Sequence, residues 1–194
     1  DIPEAELWAG VSTSEINIPV GTTEDGDEVS LHFTQQNAQN TALVVGSPGS
    51  GKSKFLHSLI LNAALRYSPD ELEMYLLDFS GVEFDVYARG HLPHAKVIAP
   101  ESEREFGVNI LEEIYQEGIR RERLCRDHAV DNIKALRKKN EQMIVPRILV
   151  VIDEFQELFR LNDKVSRDAY THINHIIQKY RKFAINLILA SQKA

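Results

Sequence analysis

Eight residues constrain this chain more than any others: Gly46-Ser47-Pro48-Gly49-Ser50-Gly51-Lys52-Ser53. They satisfy the pattern of a glycine, four residues, then Gly-Lys-Ser. Upstream, Thr41-Ala42-Leu43-Val44-Val45 is a short apolar run, as expected for a strand covered on both faces. Downstream, Leu56, Leu59, Ile60, Ala63 and Ala64 recur at the spacing of one helical face. Strand, glycine-rich turn and helix, in that order, are the context in which this pattern cradles phosphate. The glycines let the backbone wrap around an anion without Cβ clashes, so successive N–H groups point inward. The helix presents its N-terminus to the same anion. On this reading Gly46 to Ser53 bind phosphate, Lys52 reaches the β- and γ-phosphates of ATP, and the Ser53 hydroxyl ligates magnesium.

A second group completes the chemistry. Ile148-Leu149-Val150-Val151-Ile152 is the clearest strand of the chain, and it closes on Asp153-Glu154. A carboxylate at Asp153 is placed to hold magnesium through a water. Hydrolysis also needs a group that orients or deprotonates the attacking water, and Glu154 supplies one. An acidic pair therefore favours an ATPase over a small-molecule kinase, although such a pair also caps helices. Gln192 leaves the last apolar strand on the side where parallel sheets bind ligands, so its amide is a candidate contact for the γ-phosphate or the water. Asp78, followed by Phe79-Ser80-Gly81, ends another strand on the same edge. It either joins the magnesium shell or caps a turn.

The remaining pattern sets the fold class. Ile16, Ile18 and Val20, then Val29, Leu31 and Phe33, alternate with polar residues around Asp25-Gly26, which predicts a half-buried hairpin. Strands are expected over 72–77, 95–99 and 185–190, in addition to those at 41–45 and 148–152. Ser102-Glu103-Arg104-Glu105 reads as a capping box opening a long helix, continued by a polar helical stretch to about Glu141. Another helix is expected over roughly 166–182. Alternating strands and helices imply an α/β fold, mainly a parallel sheet flanked by helices, behind an N-terminal β-hairpin. The division expected is 1–38 as the hairpin lead-in and 39–194 as the P-loop core. The apolar run Ile185 to Ala190 ends so near the terminus that the core is expected to be cut short at its C-terminal end.

Composition narrows the class. The 194 residues are 43% hydrophobic and 26% charged, which suits one globular domain. A formal net charge of −7 is not that of a general nucleic-acid magnet, although local basic clusters can still touch a phosphate backbone. Cys125 is the only cysteine, so no internal disulfide and no cysteine-based zinc site can form. No run approaches the roughly 20 apolar residues that span a bilayer, and the start Asp1-Ile2-Pro3-Glu4 is no signal peptide. A cytoplasmic domain is expected, with any membrane attachment in segments outside this one.

Together these motifs resemble the FtsK/SpoIIIE family of RecA-like P-loop motor ATPases. Besides the phosphate loop, the resemblance rests on Leu92-Pro93-His94, on Glu117-Gly118-Ile119-Arg120-Arg121 continuing to Asn132-Ile133, on Pro146 to Phe155, and on Arg181 to Gln192. It implies ATP and Mg2+ as ligands, Lys52, Glu154 and Gln192 as catalytic groups, and Ser53 and Asp153 on the metal. It also implies a homo-oligomeric ring, such as a hexamer, with ATP between subunits, and double-stranded DNA as cargo. Two departures bear on the cargo. The DNA translocases usually carry Asp-Pro-Lys where this chain has Asp78-Phe79-Ser80, and Arg-Pro where it has Lys193-Ala194. The first leans towards the type VII secretion ATPases of the same family, which move proteins. A nucleotide-dependent assembly module with little turnover is a third reading. Arg120, Arg121, Arg123 and Arg126, with Lys134, Arg137, Lys138 and Lys139, offer basic surface for DNA. Interleaved Glu112, Glu113, Glu117 and Glu122 make a paired, solvated face the simpler expectation. Arg120 or Arg121 is alternatively available to a neighbour's nucleotide.

Overall fold

The computed structural model describes residues 7–34, 39–81, 83–99 and 103–192. Five strands form one parallel sheet: β3 (Thr41–Val45), β4 (Leu72–Asp78), β5 (Ala95–Ala99), β6 (Arg147–Asp153) and β7 (Ile185–Ser191). Their spatial order is β3-β7-β6-β4-β5. β7, last in sequence, thus lies between the strand that precedes the phosphate loop and the strand that carries the acidic pair. Asp78 of β4 pairs in register with Asp153 of β6, and Val45 of β3 with Ser191 of β7. The register brings the predicted polar ends of four strands to one edge.

Period-two alternation splits the sheet between two apolar layers. Leu72, Met74, Leu76, Leu149, Val151, Ile188 and Ala190 face α1 (Lys52–Arg66). Tyr75, Leu77, Ile148, Val150, Ile152, Ile185, Leu187 and Leu189 face α3 (Arg104–Asp127), α4 (Ile133–Lys139) and α5 (Lys164–Lys179). A short helix α2 (Asp85–Arg89) adds Tyr87 to the α1 side. β6 and β7 are buried along their whole length, as central strands of a doubly covered sheet should be. β3 departs from the expectation. It is an edge strand, and Leu43 and Val45 remain 63% and 46% exposed while Ala42 and Val44 pack towards α1. An apolar run does not by itself report whether a second layer covers it.

The predicted hairpin forms from β1 (Glu15–Thr22) and β2 (Glu28–Thr34). Gly26 at φ 89° allows the tight turn, with Thr23 N–H donating to Asp27 O. Ile16, Ile18 and Phe33 join the apolar layer on α1, so hairpin, helix and sheet share one core. The boundary expected near residue 38 lies outside the described residues.

The segment before the hairpin finishes α1. A helix leaves its last four carbonyls without intrahelical partners. Here Tyr67 N–H serves Ala63 O, the Trp8 indole N–H serves Ala64 O, Trp8 N–H serves Leu65 O, and Gly10 N–H serves Arg66 O. Glycine is required for this approach, since a Cβ on residue 10 would lie 2.7 Å from Arg66 O. Ser12 then locks the segment down. Its amide donates to Glu71 Oε2 at 2.6 Å, its hydroxyl donates to Glu71 O at 2.7 Å, and the Arg147 guanidinium donates to Ser12 O.

The helical expectations hold with shifted ends. Ser102 lies outside the described residues; α3 starts at Arg104 with Glu103 as N-cap, whose side chain makes no capping bond. The polar stretch that follows is interrupted: Ala129 takes a left-handed φ of 53°, and α4 restarts under Asn132, whose side chain accepts from Ala135 N. α5 begins earlier than expected because Asp163 caps it, accepting from Ser166 N, and it gives way to a 3-10 turn over Tyr180–Phe183.

Two tests follow from this packing. Burial alone would raise the Glu71 carboxyl, but the Ser12 amide and the Arg137 guanidinium outweigh it and hold it below the ordinary glutamate range. The folded pKa is thus below the unfolded one, and the stabilisation is complete above about pH 4.3 and lost as pH falls through the folded value. Glu71→Gln is expected to cost about 1–3 kcal/mol at pH 7 by urea denaturation, with the difference from wild type shrinking below pH 4. Gly118 in α3 faces the Tyr180 ring so closely that an added Cβ would lie 2.3 Å from it. Gly118→Ala is expected to lower the melting temperature, because overpacking of about 1–3 kcal/mol exceeds the helix-propensity gain of about 1 kcal/mol.

Candidate nucleotide site

The phosphate loop leaves β3 and is tied at once to the next strand, Gly46 N–H donating to Ser191 O at 3.1 Å. It then folds back on itself so tightly that a Cβ on Gly46 would lie 2.4 Å from Ser50 Oγ. Gly49 and Gly51 take φ of 81° and 94°, the left-handed region that glycine enters without penalty. α1 starts directly at Lys52. Its N-cap, Gly51, has no side chain to satisfy the first-turn N–H groups, and no acidic residue occupies that turn. Uncapped N–H groups at the start of a 15-residue helix fit an anion. Residues 47–49 and 51–54, together with Gln192, line a cavity of about 260 Å3 over this turn.

Beneath the loop, β6 delivers Asp153, 1% exposed, and Glu154, 6% exposed. Glu154 is held at φ 53°, ψ 44°, a left-handed conformation that costs a non-glycine residue about 1–3 kcal/mol. That twist turns its carboxylate back towards the sheet edge. Lys52 Nζ pairs with Asp153 Oδ1 and with Glu154 Oε1, the latter at 2.6 Å. Glu154 Oε2 accepts from the Gln156 side-chain amide and from Gln192 N–H at 3.3 Å. Glu154 N–H donates to Asp153 Oδ1 at 2.9 Å.

Burial dominates the electrostatics and is answered differently at each group. It pushes the Asp153 carboxyl up, more than Lys52 pulls it down. It opposes the charge on Lys52 too, but the two carboxylates outweigh it and raise the lysine. Glu154 is held low despite burial, because Lys52, Gln156 and the Gln192 amide all donate to it. One cation against two carboxylates leaves an anionic pocket edged by a hydroxyl, Ser53. That oxygen set suits magnesium, which binds through one or two carboxylates plus phosphate oxygens rather than in an all-protein cage.

The loop, Lys52, Asp153, Glu154 and Gln192 therefore meet at one edge, although Gln192 does so through its backbone amide. Asp78 does not present free oxygens there. Its carboxylate accepts from Ser80 N, Ser80 Oγ, Gly81 N and Glu83 N, so it caps the turn after β4. Three of the four arginines of the basic face of α3, Arg120, Arg121 and Arg126, are paired. Arg121 is 1% exposed, bonded to Glu117 and to Phe183 O, which removes it from any surface role. Arg120 is clasped by the same Glu117, Arg126 faces Glu122, and Arg137 is committed to Glu71. Two side chains at the site carried no signal in the sequence. Gln156 sits in the 3-10 turn after Glu154, and Glu83, in an unpatterned loop, accepts from the Ser53 hydroxyl at 2.8 Å. Lys193 and Ala194 lie outside the described residues.

The chain is 30% identical over 191 residues to the DNA translocase FtsK of Staphylococcus epidermidis, covering 94% of this chain and 23% of that protein. It is 27% identical over 188 residues to the ESX secretion system protein YukB of Bacillus subtilis, covering 94% of this chain and 12% of that one. It thus spans a quarter or less of the length of these relatives. Among solved structures, the cytoplasmic domain of the type VII secretion ATPase EccC of Thermomonospora curvata superposes with a TM-score of 0.82 at 26% identity, covering 100% of this chain and 23% of that one. No helix among the described residues is long and apolar enough to cross a membrane. The model of the FtsK/SpoIIIE family matches residues 8–194, and with the phosphate loop and acidic pair in contact across the sheet, the chain belongs to that family.

Proposed function

We propose that this chain is the ATP-binding and ATP-hydrolysing motor module of a ring-forming translocase, with double-stranded DNA as cargo. The observation that carries the hydrolytic reading is the contact of Lys52 with both Asp153 and Glu154, a hundred residues away in sequence. The arrangement gives each group a task. Loop N–H groups and Lys52 bind the β- and γ-phosphates, which requires Lys52 to exchange at least one carboxylate for phosphate. Ser53 and Asp153 would hold Mg2+, which supplies charge neutralisation on the phosphate oxygens. Glu154, freed from Lys52, accepts a proton from the water that attacks the γ-phosphorus as the bond to the bridging oxygen breaks. Gln192, whose backbone already touches Glu154, links the state of that carboxylate to the loop through β7.

Duplex DNA as cargo is supported by the DNA translocases among the relatives. Polypeptide export is favoured by a separate observation. Where DNA translocases usually have Pro-Lys, this chain has Phe79-Ser80; the Phe79 ring fits over Gly107, where a Cβ would lie 2.5 Å from it. The EccC likeness agrees with this second reading. Oligomerisation into a ring with ATP between subunits, and a cytoplasmic location, belong to the same proposal.

The test uses the full-length protein. Lys52→Ala is expected to weaken ATP binding at least about tenfold by calorimetry while keeping a native circular-dichroism spectrum, and to lower the melting temperature because Asp153 and Glu154 lose their buried cation. Glu154→Gln is expected to bind ATP and to lose about 100-fold or more in turnover. Duplex DNA is expected to stimulate wild-type hydrolysis; stimulation by a secreted polypeptide and none by DNA would establish the export reading instead.

A further inference from the structure

Ser53 has an acceptor that the phosphate-loop pattern does not specify. Its hydroxyl donates to Glu83 Oε1 at 2.8 Å, while Asp153 is occupied by Lys52. The other oxygen, Glu83 Oε2, faces His57 Nε2 at 3.4 Å, and His57 Nδ1 lies 2.7 Å from the Tyr87 hydroxyl. The four side chains interlock two elements. Ser53 and His57 lie one turn apart on α1, and Glu83 and Tyr87 flank the start of α2. The loop that carries Glu83 is fixed in turn, since Glu83 N–H donates to Asp78 Oδ2 at 2.6 Å.

The Nε2–H tautomer of His57 satisfies the chain, as does a His57 cation donating from both nitrogens; either way Glu83 remains the acceptor. Burial pushes the Tyr87 hydroxyl up to about 12, so at neutral pH it retains a proton to donate to His57 Nδ1. Nε2–H then points at Glu83 Oε2, and the Ser53 proton points at Oε1. A hydroxyl that ligates a cation must direct its own proton elsewhere and offer its lone pairs to the metal. Glu83 provides that direction.

We propose that Glu83 is a positioning residue for the Mg2+–ATP site, orienting the Ser53 hydroxyl for the metal, and that His57 and Tyr87 hold Glu83 in place. This rests on the nucleotide reading of the phosphate loop, and it adds a carboxylate that acts through Ser53 without touching substrate. Glu83→Gln keeps an oxygen that can accept the Ser53 proton, whereas Glu83→Ala removes it.

The test measures ATP binding to the full-length protein by calorimetry, with magnesium and with a chelator. Glu83→Ala is expected to weaken binding about tenfold with magnesium and to leave the magnesium-free affinity unchanged. Glu83→Gln is expected to retain most of the magnesium effect. In a Ser53→Ala background, Glu83→Ala is expected to cost nothing further, because its action passes through that hydroxyl. Equal losses with and without magnesium, equal losses in the Gln and Ala variants, or additive losses in the double variant would each overturn the proposal. Lys52→Ala separates the two ideas. If it leaves ATP binding intact, the nucleotide reading itself fails; if it abolishes binding while Glu83→Ala changes nothing, only the role of Glu83 fails.

Discussion

Lys52 carries its ammonium group from the first turn of α1 to the end of β6, where Asp153 and Glu154 receive it almost out of contact with water. Removing charges from water costs several kcal/mol per ion unless each finds partners, so this contact stands only because the surroundings supply them. The strand order places β7 beside both the loop strand and the acid strand, and its last residues serve each: Ser191 O takes Gly46 N–H, and Gln192 N–H reaches Glu154. The in-register pairing of Asp78 with Asp153 sets the neighbouring turn at the same height. The left-handed backbone at Glu154 completes the arrangement, an unfavourable local conformation kept because the carboxylate it aims is bonded on both oxygens.

A triad of one cation and two anions is also poised to be disturbed. Phosphate arriving at the loop competes for Lys52, and each bond it wins leaves a buried carboxylate short of a partner. A divalent cation bound with the phosphate would restore that balance, with Asp153 as the residue to hold it. On the proposed reading, binding of nucleotide and metal would be coupled through the electrostatics of one pocket.

Much of this was legible in the residues. The phosphate loop and Asp153-Glu154 combine a strand pattern with residue types whose chemistry is narrow, so local sequence suffices to place them at strand ends. The two apolar layers follow from period-two alternation. What escaped depends on contacts distant in sequence. The run Leu43-Val44-Val45 has the composition of a central strand, yet β3 lies at an edge. Arg121 looks like its basic neighbours, and only the docking of Phe183 against α3 reveals that it is buried. Glu83 belongs to no motif, because its meaning comes from a loop that folds over α1 to meet Ser53.

The strap formed by Trp8 and Gly10 carries a mechanical consequence. It clasps the last carbonyls of α1, whose first turn underlies the phosphate loop. The helix between them is a stiff rod of 15 residues, about 22 Å long at 1.5 Å per residue. The chain entering at Trp8 is thus tethered to the far end of the rod whose near end faces the phosphates. A tug on that tether runs lengthwise through α1 to the loop, whereas a tug at β3 would have to shear strands apart. A pull on the strap and an anion at the loop would act along one axis.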